Sequence, residues 1–251
     1  MLPDPLFGPV RLYGICTALG VVLAVLLLYI YVRVKKVEYR FSDFLFLNGV
    51  TSVAVGFVAA AAFQGLYNYL EDPSRGFSMT GGITFLGGLI GGVAFFLLMY
   101  LLFRKRFETR LFQVLSALPC AIMLGHGFGR VGCFFAGCCY GKATDSWLGV
   151  QFPHLPGPVH ATQLYEAAVL FVLFGICTWL LFKKDFRHNM SIYLIGYGCA
   201  RFGLEYLRDD PRGQLLGAFS PSQFWSLCMV ALGIGLIFVT KHLWRNHEAV
   251  S

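Results

Sequence analysis

Segment 197–208 reads Tyr-Gly-Cys-Ala-Arg-Phe-Gly-Leu-Glu-Tyr-Leu-Arg, which spaces Tyr197, Arg201, Glu205 and Arg208 by four, four and three residues. On a helix these positions line one face, so a phenol, two guanidiniums and a carboxylate point in one direction. Two arginines against one glutamate leave a positive charge over. Two readings are open. Glu205 neutralises the arginines so that the helix can insert in a membrane, or the surplus binds an anion. A phosphate suits the second reading, because guanidinium forks match its oxygens bidentately.

Two further segments carry related chemistry. Segment 125–141 holds Gly125, Gly127, Gly129, Gly132, Gly137 and Gly141 around Arg130, a density that points to a tight or irregular backbone coming close to another group. His126 precedes Arg130 by about one helical turn and is either a general base or an interfacial histidine bonded to backbone. In segment 159–167, Thr162 is expected to cap a helix and Glu166 to sit in its first turn, near the positive end of the dipole. That account leaves His160 and Gln163 without a role.

The elements that hold these residues follow from composition. The 251 residues are 57% hydrophobic and 13% charged, against about a quarter charged in soluble domains. One soluble core cannot bury that much apolar surface, so a soluble enzyme is excluded. Aromatics at 16%, 29 glycines without a period and eight dispersed cysteines exclude disorder, collagen and a small disulfide scaffold. The chain reads as an all-α polytopic membrane protein, a single integral domain over 1–251. Seven apolar spans are expected near 12–32, 45–69, 82–103, 111–128, 162–182, 190–207 and 222–240.

Spans one, three, five and seven end in basic clusters: Arg33, Lys35, Lys36 and Arg40; Arg104, Lys105, Arg106 and Arg110; Lys183, Lys184 and Arg187; Lys241 and Arg245. All fall on one side if seven spans alternate. The positive-inside rule makes that side cytoplasmic, with the N-terminus outside, the C-terminus inside and an outward loop over 129–161. The net charge of +7 then sets orientation rather than nucleic-acid binding, and no nucleic-acid partner is expected. Seven basic residues lie elsewhere: Arg11, Arg75 and Arg212 in polar loops, and Lys142, Arg130, Arg201 and Arg208. The even-numbered spans carry Asn48, Gln64, His126, Arg201 and Glu205, which are expected to face a bundle interior or wet cavity.

These motifs resemble, in order and over nearly the whole chain, the prolipoprotein diacylglyceryl transferase family. The matching pieces are Tyr13-Gly14, the run from Gly87-Gly88 to Gly91-Gly92, Gly129-Arg130-Val131-Gly132 with Phe134, Gly137 and Gly141, and the 160–166 block. Segment 197–208 and Ser220-Pro221-Ser222-Gln223 complete the set. The resemblance implies a bacterial plasma-membrane enzyme, its active site toward the outer leaflet. It implies transfer of diacylglyceryl from phosphatidylglycerol to the lipobox cysteine of a prolipoprotein signal peptide, with release of glycerol 1-phosphate. It gives Arg130 and Arg201 the phosphate and leaving group, and has Glu205 orient Arg201 and Arg208 guard the outer mouth. Tyr13 and Tyr197 line the headgroup cavity. Gly87, Gly88, Gly129, Gly132, Gly141, His160 and Gln163 are expected to bind substrate, and no cofactor or metal is required.

The chain departs from the family pattern twice. Many members carry a histidine before the Gly-Gly-Leu-Ile-Gly run, where Leu86 stands here. Leucine cannot take a proton, so His126 becomes the expected catalytic base, with His160 as the other local histidine. The family's Asn and Glu after the Gly-Arg motif give way to Cys133, Cys138 and Cys139. Packing of small residues is the reading preferred for them, ahead of a disulfide or a metal site with His126. These departures motivate one alternative, a related transferase with another lipid or small-molecule acceptor. A non-catalytic anion-binding or transport protein is the other, disfavoured because no repeat symmetry is visible.

Overall fold

The computed structural model describes residues 11–79, 82, 84–108, 111–184, 186, 188–208 and 220–248. Among them the regular structure is helical apart from one small ribbon, as expected of an all-α polytopic membrane protein. The helices are α1 Leu12–Val34, α2 Tyr39–Glu71, α3 Phe85–Phe103, α4 Leu111–Leu115, α5 Leu118–Phe135, α6 Thr162–Lys184, α7 Asn189–Leu204 and α8 Pro221–Glu248. Six segments are long and apolar enough to cross a membrane: Leu12–Val34, Tyr39–Glu71, Gly87–Arg106, Leu118–Phe135, Thr162–Lys184 and Pro221–Lys241. The expected span near 190–207, sixth in order, is α7, which has 16 residues and falls short of the roughly 20 a crossing needs. Arg110, Arg187 and Arg212 lie outside the described residues.

The fourth span differs most from expectation. A short α4 precedes α5, which starts at Leu118 with Pro119 in its first turn. Proline is tolerated there but interrupts a helix arriving from upstream, so the membrane helix runs seven residues later than 111–128. Arg130 and Gly132 are therefore helical, and the loop begins after Phe135 rather than at 129.

The chain divides into two compact units, Val32–Gln113 and the remainder, Met1–Tyr31 with Val114–Ser251. In the first, α2 and α3 approach closely through small residues. A Cβ on Gly87 would lie 2.5 Å from that of Phe63, one on Gly88 3.1 Å from that of Ala60, and one on Gly91 would collide with Ala59. Asn48 donates to the Phe96 carbonyl at 3.0 Å, and Thr84 Oγ1 donates to Gln64 Oε1 at 2.7 Å. These polar residues of the second span bond to the neighbouring helix and its approach, the interior placement expected of them.

In the second unit, α5, α6 and α8 pack against α7 and its 197–208 motif, and α1 lies against α5. A Cβ on Gly127 would lie 2.8 Å from the Phe171 ring, which fixes the α5–α6 distance. Fully buried Asn189 donates to the carbonyls of Ser116 at 3.1 Å and Cys177 at 3.3 Å, tying the start of α7 to α6 and the entry of α5. Between α5 and α6 the loop forms a ribbon of β1 Gly149–Val150 and β2 Val159–His160. It closes over fully buried Phe152, which contacts the rings of Phe134, Tyr140 and His154.

Candidate active site

Glu166, for which its place near a helix start suggests only a helix-dipole role, is the hub of the site. It is the fifth residue of α6, beyond the first turn, and is 2% exposed. Its Oε1 lies 2.9 Å from Arg130 Nη2, accepts the Tyr197 hydroxyl at 2.5 Å, and stands 3.7 Å from His126 Nε2. Three helices therefore converge on one carboxylate. His126 and Arg130 reach it from one face of α5, Tyr197 from α7. The His126 ring stands edge-on to Tyr197 with centroids 5.1 Å apart. A carboxylate at this depth is stabilised only by such partners, and Arg130 supplies the counter-charge.

The second centre is Arg201 with Glu205, one helical turn apart on the C-terminal end of α7. Arg201 Nη1 lies 2.8 Å from Glu205 Oε2, and its Nη2 donates to Ser222 Oγ at 2.9 Å. Ser222 is presented by a capping box. The Gln223 amide donates to Ser220 Oγ at 3.2 Å, and Gln223 Oε1 accepts from the Ser220 amide at 3.0 Å. Ser220 also donates its hydroxyl to Glu205 Oε1 at 2.8 Å. The cap of α8 and the ion pair of α7 are thus one assembly. Tyr197 of the first centre and Arg201 of the second lie one turn apart on α7, so the two centres adjoin along that helix.

The expected single column does not extend to Arg208. Helix α7 ends at Leu204, residues 205–207 tighten into a 3₁₀ turn, and Arg208 is extended. Its backbone bridges Gly141, while Lys142 N donates to the Leu207 carbonyl at 2.7 Å, so ribbon pairing outcompetes another helical turn. Gly141 has no room for a side chain: a Cβ would collide with the Leu207 carbonyl and lie 2.7 Å from Thr162 Cγ2. Arg208 itself is buried, and its positive charge helps draw the Cys139 thiol below its ordinary value.

The 160–166 block secures the thiol-bearing loop. Thr162 does not cap α6. It is the first helical residue, and its hydroxyl donates to the Cys139 carbonyl at 2.9 Å. Gln163 donates to the Cys138 carbonyl at 2.5 Å. His160 Nδ1 is 3.3 Å from the Tyr165 hydroxyl and lies on β2, where its carbonyl accepts the Gly141 amide at 2.8 Å. The thiols of Cys133 and Cys138, together with Arg208, pull Cys139 down to about 5, while burial pushes Cys138 up.

Two glycines beside Arg130 have different surroundings. Gly132 takes the Tyr13 ring, with Cδ2 3.1 Å from a notional Cβ. Gly129 faces open space. Arg130 pairs with Glu166 and Arg201 with Glu205, and Arg130 Nε is buried without a hydrogen-bond partner among the described residues. The arrangement can seat an anion between fixed N–H donors and hold a neutral or charged imidazole beside it.

The family sequence model described as prolipoprotein diacylglyceryl transferase matches residues 6–239. A phosphatidylglycerol–prolipoprotein diacylglyceryl transferase of Clostridium tetani is 33% identical, covering 88% of this chain and 90% of its own length. One of Clostridium perfringens, numbered 2, is 32% identical with coverages of 91% and 90%. One of Vibrio cholerae is 37% identical over 77% of this chain and 72% of its own.

Proposed function

The chain belongs to the prolipoprotein diacylglyceryl transferase family, and from that premise we propose that Arg130 and Arg201 hold the phosphate of phosphatidylglycerol while the diacylglyceryl group passes to a prolipoprotein thiol. The protein is a membrane transferase with phosphatidylglycerol as donor and prolipoproteins as acceptors. The acceptor is the lipobox cysteine of a signal peptide, and the coproduct is glycerol 1-phosphate.

The chemistry moves one negative charge. The thiolate sulfur attacks the glyceryl methylene carbon, the bond from that carbon to the phosphate ester oxygen breaks, and the electron pair leaves with that oxygen. A phosphodiester of one negative charge becomes a monoester of two. Guanidinium donors held in place before the reaction stabilise the second charge without reorganising, which is where such groups are most effective. Glu166 fixes Arg130, and Glu205 with Ser222 fixes Arg201. His126 takes the thiol proton, with Glu166 3.7 Å away to stabilise the imidazolium.

The remaining residues shape the cavity. Gly129 leaves open space beside Arg130 for the headgroup, Tyr13 over Gly132 and Tyr197 line it, and Arg208 with Gly141 closes the mouth. Gln163 and His160 hold the loop that forms the rim. Gly87 and Gly88 serve by setting the α2–α3 spacing. We place the protein in the bacterial plasma membrane with seven crossings, α7 and its 3₁₀ continuation adding one to the six long apolar helices. The N-terminus and active site then face outward, the C-terminus inward. Basic residues at the ends of α1 and α6 and after α3 support that orientation.

The observation that carries the assignment is the convergence of Arg130, Tyr197 and His126 on buried Glu166. Expression in a bacterial strain depleted of its own lipidating enzyme tests it. Growth and diacylglycerylated lipoprotein precursors, seen by mass spectrometry, are expected. Good expression with wholly unmodified precursors contradicts the acceptor.

A further inference from the structure

We infer that Cys133, Cys138 and Cys139 form a binding site for one thiophilic metal ion, zinc or monovalent copper, held by three sulfurs at the junction of α5 and the loop that follows. The Sγ atoms of the three residues lie within 4.8 Å of one another. Zinc–thiolate bonds of about 2.3 Å put tetrahedral sulfurs roughly 3.8 Å apart, so side-chain rotations of under about 1 Å complete the geometry. All donors are sulfur, which selects soft cations over magnesium or calcium.

Backbone geometry explains how the thiols meet. Helix α5 ends in a Schellman motif: Gly137 is left-handed at φ 68°, its amide donates to the Phe134 carbonyl at 3.1 Å, and the Cys138 amide donates to the Cys133 carbonyl at 3.2 Å. The motif normally brings an apolar pair together across the helix end; here the pair is Cys133 and Cys138. Cys139 is also left-handed, at φ 63°, a conformation that costs a non-glycine residue about 1 kcal/mol or more. That turn returns the third sulfur to the first two. The carbonyls of Cys138 and Cys139 are pinned by Gln163 and Thr162, both 1% exposed, so the loop is held in place from outside the thiol cluster.

Small-residue packing does not account for the cluster, because Cys138 is exposed and Cys133 and Cys139 are only partly buried. A disulfide would use two thiols and strand the third, whereas one cation takes all three. Charge also balances. Three thiolates on a divalent ion carry one negative charge, and the Arg208 guanidinium stands beside Cys139 to meet it.

The test uses the reduced, full-length protein in detergent, stripped with chelator and exposed anaerobically to zinc alone or to monovalent copper alone. After desalting, metal analysis is expected to find about one ion per chain, with retention falling at least tenfold in Cys133→Ser/Cys139→Ser. A measurement on the unmodified chain guards against a folding artefact: alkylation mapped by mass spectrometry should show all three cysteines protected when metal is present. The inference is overturned if neither metal is retained, if the double variant retains it undiminished, or if the three thiols alkylate equally fast with and without metal.

Discussion

Arg130 Nη2 lies 2.9 Å from Glu166 Oε1, and that pair ties the Gly-rich helix α5 to α6 inside the membrane bundle. The carboxylate also accepts the Tyr197 hydroxyl, so one anion fixes the guanidinium and the phenol that are proposed to face the donor lipid. Removing the charge should therefore cost more than removing either partner's contact alone suggests. Glu166→Gln should lower diacylglyceryl transfer by about a hundredfold or more. Combined with Arg130→Ala it should add little, because the two act as a unit. Lys142, whose side chain is exposed, is the control, and Lys142→Ala should stay near wild type. Transfer assayed with purified variants checks all four proteins.

The two glycines near the site should separate packing from access. Gly141→Ala forces a methyl onto the Leu207 carbonyl and should destabilise by about 1–3 kcal/mol, read as a lowered melting temperature in detergent. Gly129→Ala meets open space, so stability should change by less than about 1 kcal/mol while transfer falls. Equal loss of stability in both variants would contradict the assignment of open space to the headgroup.

Ser220 serves two structures at once, the cap of α8 and the Glu205 side of the ion pair. Ser220→Ala should cost about 1 kcal/mol from the cap. It should also loosen Arg201 and so raise KM for phosphatidylglycerol. Ser220→Thr keeps the hydroxyl and should restore both, which thermal scanning and donor-titration kinetics would show.

Thiol chemistry in the metal-free protein should follow the local charges. Because Cys139 is held down to about 5 by its thiol neighbours and Arg208, it is thiolate throughout the neutral range. Its alkylation rate should be nearly flat above about pH 6 and fall as pH drops through 5. Cys138, pushed up by burial and by Cys139, should label faster as pH rises through the range above its ordinary value. Arg208→Ala should move the Cys139 profile toward higher pH. Peptide-resolved labelling rates between pH 4 and 10, about the span of ordinary thiol titration, check this.

Much of the arrangement was legible in the sequence. Tyr197, Arg201 and Glu205 were placed on one helical face by spacing alone, and the ion pair between the last two follows from it. His126 stands out as a polar group in an apolar run and Arg130 as the cation of a glycine-rich segment, and both reach Glu166. Glu166 was not, because a glutamate near a helix start has an adequate explanation in the dipole. The signal that could have found it was charge balance: Arg130 at membrane depth required an anion, and Glu166 was the acidic residue of the neighbouring motif. Arg208 left the expected column because pairing with Gly141 is a long-range interaction that helical spacing cannot anticipate. The displaced α5 was readable in principle from Pro119, which starts helices more readily than it continues them. The clustering of the three thiols depends on left-handed residues on either side of Cys138, and while a glycine such as Gly137 can signal a helix end, nothing in the residue pattern announces the left-handed Cys139.

The central claim is that Arg130 and Arg201 stabilise the departing phosphate. Its most direct test is a single-turnover reaction of the purified protein with phosphatidylglycerol labelled in the glycerol headgroup and a lipobox peptide. Wild type should release one labelled glycerol phosphate for each diacylglyceryl thioether formed, and Arg130→Ala and Arg201→Ala should release none while remaining folded. Coupled release at the wild-type rate in both variants would contradict the account.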